Sequence, residues 1–141
     1  MEELNKKLRK KTDTIKGEHY LVGHVSDEII NGPMRGWICG HFYPKESNYH
    51  RNDIEICVKV LSVNMTEELH YHLCSFEFLI VLSGKVEYEL EGDHITLTPG
   101  MFYMLHPGYT EHIVEVRKET TILAVRLPSI PNNKVYVDGK P

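Results

Sequence analysis

His70-Tyr71-His72-Leu73-Cys74-Ser75-Phe76-Glu77-Phe78-Leu79-Ile80-Val81-Leu82-Ser83-Gly84 is the stretch from which the rest of the chain is read. Successive side chains of a β-strand alternate faces, so His70 and His72 point the same way. Two neutral imidazoles and a carboxylate, Glu77, converging on one point make a divalent-metal site of intermediate softness. An H-x-H tripeptide alone recurs by chance. H-x-H followed after four residues by Glu and after six more by Gly is far more restrictive, and it lies here in strand-like sequence.

Around this stretch the chain is 141 residues long, the length of one domain and enough to bury a core. With 41% hydrophobic and 26% charged residues it reads as an ordinary globular chain, not a low-complexity or collagen-like one. A net charge of −4 argues against a nucleic-acid partner. The basic cluster Lys6, Lys7, Arg9, Lys10 and Lys11 is flanked by Glu2, Glu3 and Asp13 and reads as a solvated end. No apolar run approaches the roughly 20 residues that span a bilayer, and the first residues lack a signal-peptide stretch. The expectation is therefore no membrane partner and a cytoplasmic location. Cys39, Cys57 and Cys74 are odd in number and lack C-x-x-C spacing, which disfavours a disulfide framework or structural zinc.

Strand signals continue along the chain. Ile54, Ile56, Val58 and Val60 alternate with Glu55, Cys57 and Lys59; Val86, Tyr88 and Leu90 alternate with Glu87, Glu89 and Glu91. Turn signals follow at Gly92-Asp93, Pro99-Gly100 and His106-Pro107-Gly108, with further strands at 101–105, 113–116 and 121–127. Short strands at this spacing predict an all-β antiparallel barrel or sandwich over residues 51–127. Residues 1–50 read as an N-terminal arm with edge strands, with a short helix over Leu4 to Ile15 and a capped turn at Ser26-Asp27-Glu28. Residues 128–141 read as a tail with one brief strand, Val135 to Val137.

The block from His70 to Gly84, with Gly92, Pro99-Gly100, Pro107-Gly108 and His112 behind it, resembles the cupin superfamily. That family's first motif is G, five residues, H-x-H, three or four residues, E, six residues, G. Everything after the leading glycine is present; Asn64, which tolerates turn conformations, stands in the glycine's place. The second motif is looser: Thr98 stands where a proline would be, His112 comes later, and Val116 replaces a final Asn. The resemblance covers about residues 54 to 127 and implies a jelly-roll (double-stranded β-helix) barrel holding one Fe, Mn, Ni or Zn ion. The ligands it implies are His70, His72, Glu77 and His112.

Around that ion, Tyr88 shares a face with Val86 and Leu90, so its ring is expected inside with a hydroxyl that needs a partner. His106 is a candidate for the mouth. Arg126 lies on the face opposite Leu123, Val125 and Leu127 and is expected to point outward; turned inward it would anchor an anionic substrate. These three are the candidate substrate-binding residues. Cys74 reads as a buried inert thiol, or else as one beside the ligands. His94, next to an acidic turn, is expected in solvent.

What the resemblance implies for function is a metal-dependent enzyme, an oxygenase or an isomerase or lyase, acting on a sugar or organic acid. The alternative is a cupin that binds such a ligand without turnover, since the fold does not choose the reaction. The resemblance also implies a homodimer, with Arg35 to Phe42 and its tryptophan, Trp37, as the candidate interface strand.

Overall fold

A computed structural model describes residues 15–25, 29–30, 32 and 34–138. The helix expected over Leu4 to Ile15 lies outside these residues except for Ile15, which is in a strand; the turn at Ser26 to Glu28 also lies outside them. Ten strands follow in order: β1 Ile15–Lys16, β2 Leu21–Val22, β3 Trp37–Cys39, β4 Glu55–Leu61, β5 His70–His72, β6 Phe76–Leu90, β7 Asp93–Leu97, β8 Phe102–Leu105, β9 Thr110–Leu127 and β10 Lys134–Tyr136. β1 and β2 form a separate hairpin, and the other eight make one curled antiparallel sheet, a jelly roll.

Two long strands make the frame. β9, rich in Thr, Ile and Val, pairs with β6 along nearly its whole length, and with β4 and β5 on its other edge. The ribbon bends where its register shifts, so β8 joins the first half of β6 and β7 the second. Gly84 sits at one bend with φ 95°, and a Cβ there would collide with Glu119 carbonyl oxygen and Thr120. The Thr120 hydroxyl accepts from Lys85 N–H and donates to Lys118 carbonyl, which satisfies the backbone the bend releases. A second irregularity is a bulge on β9: Glu87 pairs with Glu115 but Tyr88 with Ile113, so Val114 has no opposite residue.

The turns follow their residues. Glu91 and Gly92, both with positive φ, close the two-residue β6–β7 hairpin. Thr98-Pro99-Gly100-Met101 turns with Gly100 at φ 88° and Met101 N–H on Thr98 carbonyl. Asn64, with φ 70°, adopts the left-handed conformation that a glycine would there.

Inside, Leu61, Leu79, Val81, Val86, Leu97, Val116, Ile122 and Ala124 form the core with Tyr88 and Tyr103. One half of the barrel is turned inside out in polarity. The inner face of β4 carries Glu55, Cys57 and Leu61, while Ile56, Val58 and Val60 are the half-buried outer residues. Across the outer surface, Met104, Phe78, Val125 and Ile56 stand side by side on β8, β6, β9 and β4, as do Phe102, Ile80, Leu123 and Val58. Flanking segments join the same sheet: β3 pairs with β4, and β10 with β5.

Candidate metal centre

Strand register, not a loop, assembles the centre. His70 on β5 stands directly opposite Glu111 on β9, and His72 follows on the same face. Glu77 enters from the start of β6. Glu111 Oε1 lies 3.3 Å from His70 Nε2 and 3.4 Å from His72 Nε2, and Glu77 Oε2 lies 3.7 Å from His72 Nε2. All four side chains are at most 4% exposed.

The protonation states fit a cation. His70 Nδ1 is 2.8 Å from Glu68 carbonyl oxygen, which only accepts, so Nδ1 carries the hydrogen and Nε2 of the neutral ring presents a lone pair. That lone pair faces a carboxylate oxygen, and only a proton or a metal ion between them makes the contact favourable. His72 Nε2 and Glu77 Oε2 are buried without a hydrogen-bond partner, which a folded protein rarely tolerates. His70, His72 and Glu111 can each offer one donor atom, all within 4.8 Å of one another. Two imidazoles and two carboxylates suit Mn, Fe, Ni or Zn.

Electrostatics of the four side chains point the same way. Burial pushes the Glu77 carboxyl well above its ordinary value, and the facing Glu111 adds to this. Burial also works against ionised Glu111, but the polar groups facing it, Glu77, His70, His72 and the Tyr103 hydroxyl, outweigh it and hold Glu111 well below the usual range. Burial lowers the His72 pKa, partly offset by Glu111. The Tyr103 hydroxyl donates to Glu111 Oε2 at 2.7 Å, which leaves Oε1 for the histidines.

Beside the cluster runs a charged row. Glu55, Arg126 and Glu77 lie in direct register across β4, β9 and β6. Arg126 Nε donates to Glu77 Oε1 at 3.2 Å, its Nη1 is 3.7 Å from Glu55 Oε1, and its guanidinium lies 5.1 Å from the Trp37 ring centre. Burial would lower the Arg126 pKa, but Glu77, Glu111 and Glu55 more than offset it and raise it. A cavity of about 50 Å³ touches His70, Glu77, Tyr88, Tyr103, Glu111 and Arg126, room for about two waters. A wider hollow of about 220 Å³ reaches His72 and Arg126 past Asn133 and Lys134.

The structure brings His70, His72 and Glu77 together, and places Glu111 rather than His112 beside them. His112 lies on the other face of β9 with Nε2 3.1 Å from Glu89 Oε2, and Glu111 takes the inner place. The cause is the bulge at Val114, which shifts the alternation of β9 by one residue. Arg126, expected outward, faces inward, because the inner face here is the polar one. Tyr88 is inside, 2% exposed, with burial raising its hydroxyl pKa well above the ordinary value. His106 is exposed, its ring 6.0 Å from Phe76 and away from the cavity. Cys74 is exposed, whereas Cys39 and Cys57 are buried. Trp37, expected at an interface, packs over Arg126 and lines the cavity. Glu111 and Tyr103 carried no sequence signal, since neither belongs to the H-x-H block.

Residues 58–126 match the family described as Cupin domain. Among solved structures the chain is similar to KdgF from Halomonas sp., with 19% identity and a TM-score of 0.54 over 59% of this chain and 76% of that one. It is also similar to the DMSP lyase DddQ from Ruegeria pomeroyi, with 16% identity and a TM-score of 0.59 over 77% and 55%. Oxalate decarboxylase from Bacillus subtilis gives 15% identity and a TM-score of 0.53 over 61% and 24%. At these identities the likeness is one of fold. No curated protein sequence matches the chain.

Proposed function

This chain is a cupin-domain protein, and from that premise we propose that it is a metal-dependent enzyme acting on a small oxygenated organic acid. The observation that carries the proposal is the buried pair of unpartnered donors, His72 Nε2 and Glu77 Oε2, beside an inward arginine. His70, His72, Glu77 and Glu111 would hold the ion. When bound, a divalent ion there supplies Lewis-acid polarisation of a carbonyl or carboxylate and lowers the pKa of bound water. Arg126 would bind the substrate's carboxylate from the adjoining wall, where Glu55 and Glu77 orient its guanidinium. Tyr88, kept protonated by burial, would offer a hydroxyl. Leu79, Ile113, Ile122 and Ala124 line the same cavity and limit water. The small volume favours substrates of a few heavy atoms, and the acid–base groups favour isomerase or lyase chemistry; iron in the site would favour an oxygenase.

Elemental analysis of untagged protein, with His72→Ala beside it, tests the proposal. We expect near-stoichiometric metal in the wild type, lost in the variant, and turnover of small organic acids that falls in Arg126→Met. A wild type that neither carries a divalent ion nor takes one up on titration would sink the reading. Binding of the acid without turnover would make the protein a ligand-binding module.

We further propose that two copies pair through the outer face of β8, β6, β9 and β4. The two apolar rows there carry no charge, so the face is complementary to itself about a two-fold axis. The β1–β2 hairpin also exposes Tyr20, Leu21 and Val22, a second apolar surface suited to reach across to a partner.

A further inference from the structure

Next to Arg126, a chain of three side chains, two of them buried, leads from the inner cavity to the wider hollow. Glu55 on β4 turns one carboxylate oxygen toward Arg126, whose Nη1 is 3.7 Å from Oε1. The other oxygen, Oε2, accepts from the Ser129 hydroxyl at 3.3 Å. Ser129 lies just past the end of β9 and is 1% exposed. Its hydroxyl oxygen meets His41 twice, at the backbone N–H (2.9 Å) and at the ring Nδ1 (2.8 Å). The one hydroxyl hydrogen goes to Glu55, which only accepts, so at both His41 contacts the oxygen is the acceptor. His41 Nδ1 therefore carries the hydrogen, and in the neutral ring Nε2 holds a lone pair with no partner among the described residues. The imidazole lines the hollow of about 220 Å³ together with His72 and Arg126.

We propose that His41 reads a hydroxyl group of the substrate, so that the acid bound at Arg126 is a hydroxy acid. The inference rests on the reading above, in which Arg126 binds the substrate's carboxylate. Glu55 stands between the two recognising groups with one oxygen toward each, which sets guanidinium and imidazole within the span of a short-chain acid. The Phe42 ring, edge to face with the imidazole at 5.2 Å, restricts its turning. A lone pair fixed in this way accepts a hydrogen and offers none, so the ligand must bring a donor. Hydroxyl and ammonium groups both donate, but Arg126 and Lys134 line the same hollow and work against a further positive charge there. Ser129 and Glu55 are positioning residues, which settle the nitrogen of His41 that holds the hydrogen. An acid without the hydroxyl would cover Nε2 and leave it unpaired, which is the origin of the selectivity.

Binding is read from the fluorescence of Trp37, the only tryptophan, whose ring lies over the Arg126 guanidinium. Lactate and malate are compared with propionate and succinate, which lack the hydroxyl, and with alanine and aspartate, which carry an ammonium in its place. For the wild type we expect the hydroxy acids to bind roughly tenfold more tightly than either comparison. His41→Ala should bring lactate level with propionate and malate with succinate, while propionate and succinate bind as before. Nitrogen NMR of the His41 ring should show the hydrogen on Nδ1 in the wild type and shared between both nitrogens in Ser129→Ala, a change that a merely structural serine would not produce. Should Ser129→Ala fail to fold, His41→Ala still decides. Hydroxy acids held no more tightly than their comparisons, or a preference that survives in His41→Ala, overturn the inference and leave the Arg126 reading standing. Acids that bind undiminished to Arg126→Met overturn that reading, and a wild type that binds none of these acids overturns both.

Discussion

Tyr103 and Glu111 are joined by a 2.7 Å hydrogen bond in which the buried hydroxyl donates to Oε2. This bond aims the other carboxylate oxygen at His70 and His72. Tyr103→Phe removes the anchor without opening a hole. We expect metal affinity to fall by roughly 10- to 100-fold, as for other partners of ligand groups, with the fold unchanged. Competition against a chromophoric chelator measures it, and an unchanged affinity would show that Glu111 does not depend on Tyr103.

Two neighbouring residues on β9 should behave oppositely. Glu111→Gln is expected to lose the inner ion, and His112→Ala to keep it, because their side chains leave the strand on opposite faces. Metal analysis after exposure to manganese reads the difference. Loss in His112→Ala would restore histidine as the inner ligand.

Acid should destabilise the metal-free protein through His72. Its folded pKa lies below the unfolded value of about 6.5, so the unfolded chain takes the proton first. The stability that neutral His72 contributes is present in full above that value and lost as pH falls below it. Urea midpoints of metal-free wild type and His72→Asn, compared across this range, should converge as the pH drops. Parallel curves would mean that His72 does not titrate on unfolding.

Thiol reactivity should single out one cysteine. Burial pushes the Cys57 thiol up to about 11 and also raises Cys39, whereas Cys74 is exposed. Ellman's reagent at mildly alkaline pH should label Cys74 quickly and the other two only on unfolding. Rapid labelling that persists in Cys74→Ser would contradict the burial.

Charge placed on the outer face should separate the copies. Phe102 and Met104 are 54% and 61% exposed, so Phe102→Lys with Met104→Lys costs the core nothing. Light scattering is expected to give a dimer for the wild type and a monomer for the variant. A monomeric wild type over a wide concentration range would remove the pairing.

Much of this was legible in sequence because period-2 alternation and turn residues are local. His70, His72 and Glu77 could be placed together from spacing, and Asn64 could be read as a glycine substitute. The misreadings share one physical origin. Which face of a strand is inside depends on pairing partners far away in the chain, and a bulge such as Val114 reverses the answer without a mark in composition. Hence local alternation points to His112 where the structure places Glu111, and to an outward Arg126 on a strand whose apolar side faces out. Tyr103 belongs to no motif and is recognisable only once Glu111 is seen beside it.

The bulge at Val114 also bears on how such a centre can change over generations. Glu111 and His112 are adjacent, and one supernumerary residue decides which of them faces the ion. Were β9 to pair regularly through Val114, with no residue left over, the alternation would turn His112 inward in place of Glu111 and exchange a carboxylate for an imidazole at the metal while every ligand-bearing codon stays intact. The donor chemistry of this barrel can thus be retuned by substitutions that flatten or move a bulge, a route that a comparison of aligned ligand positions would overlook.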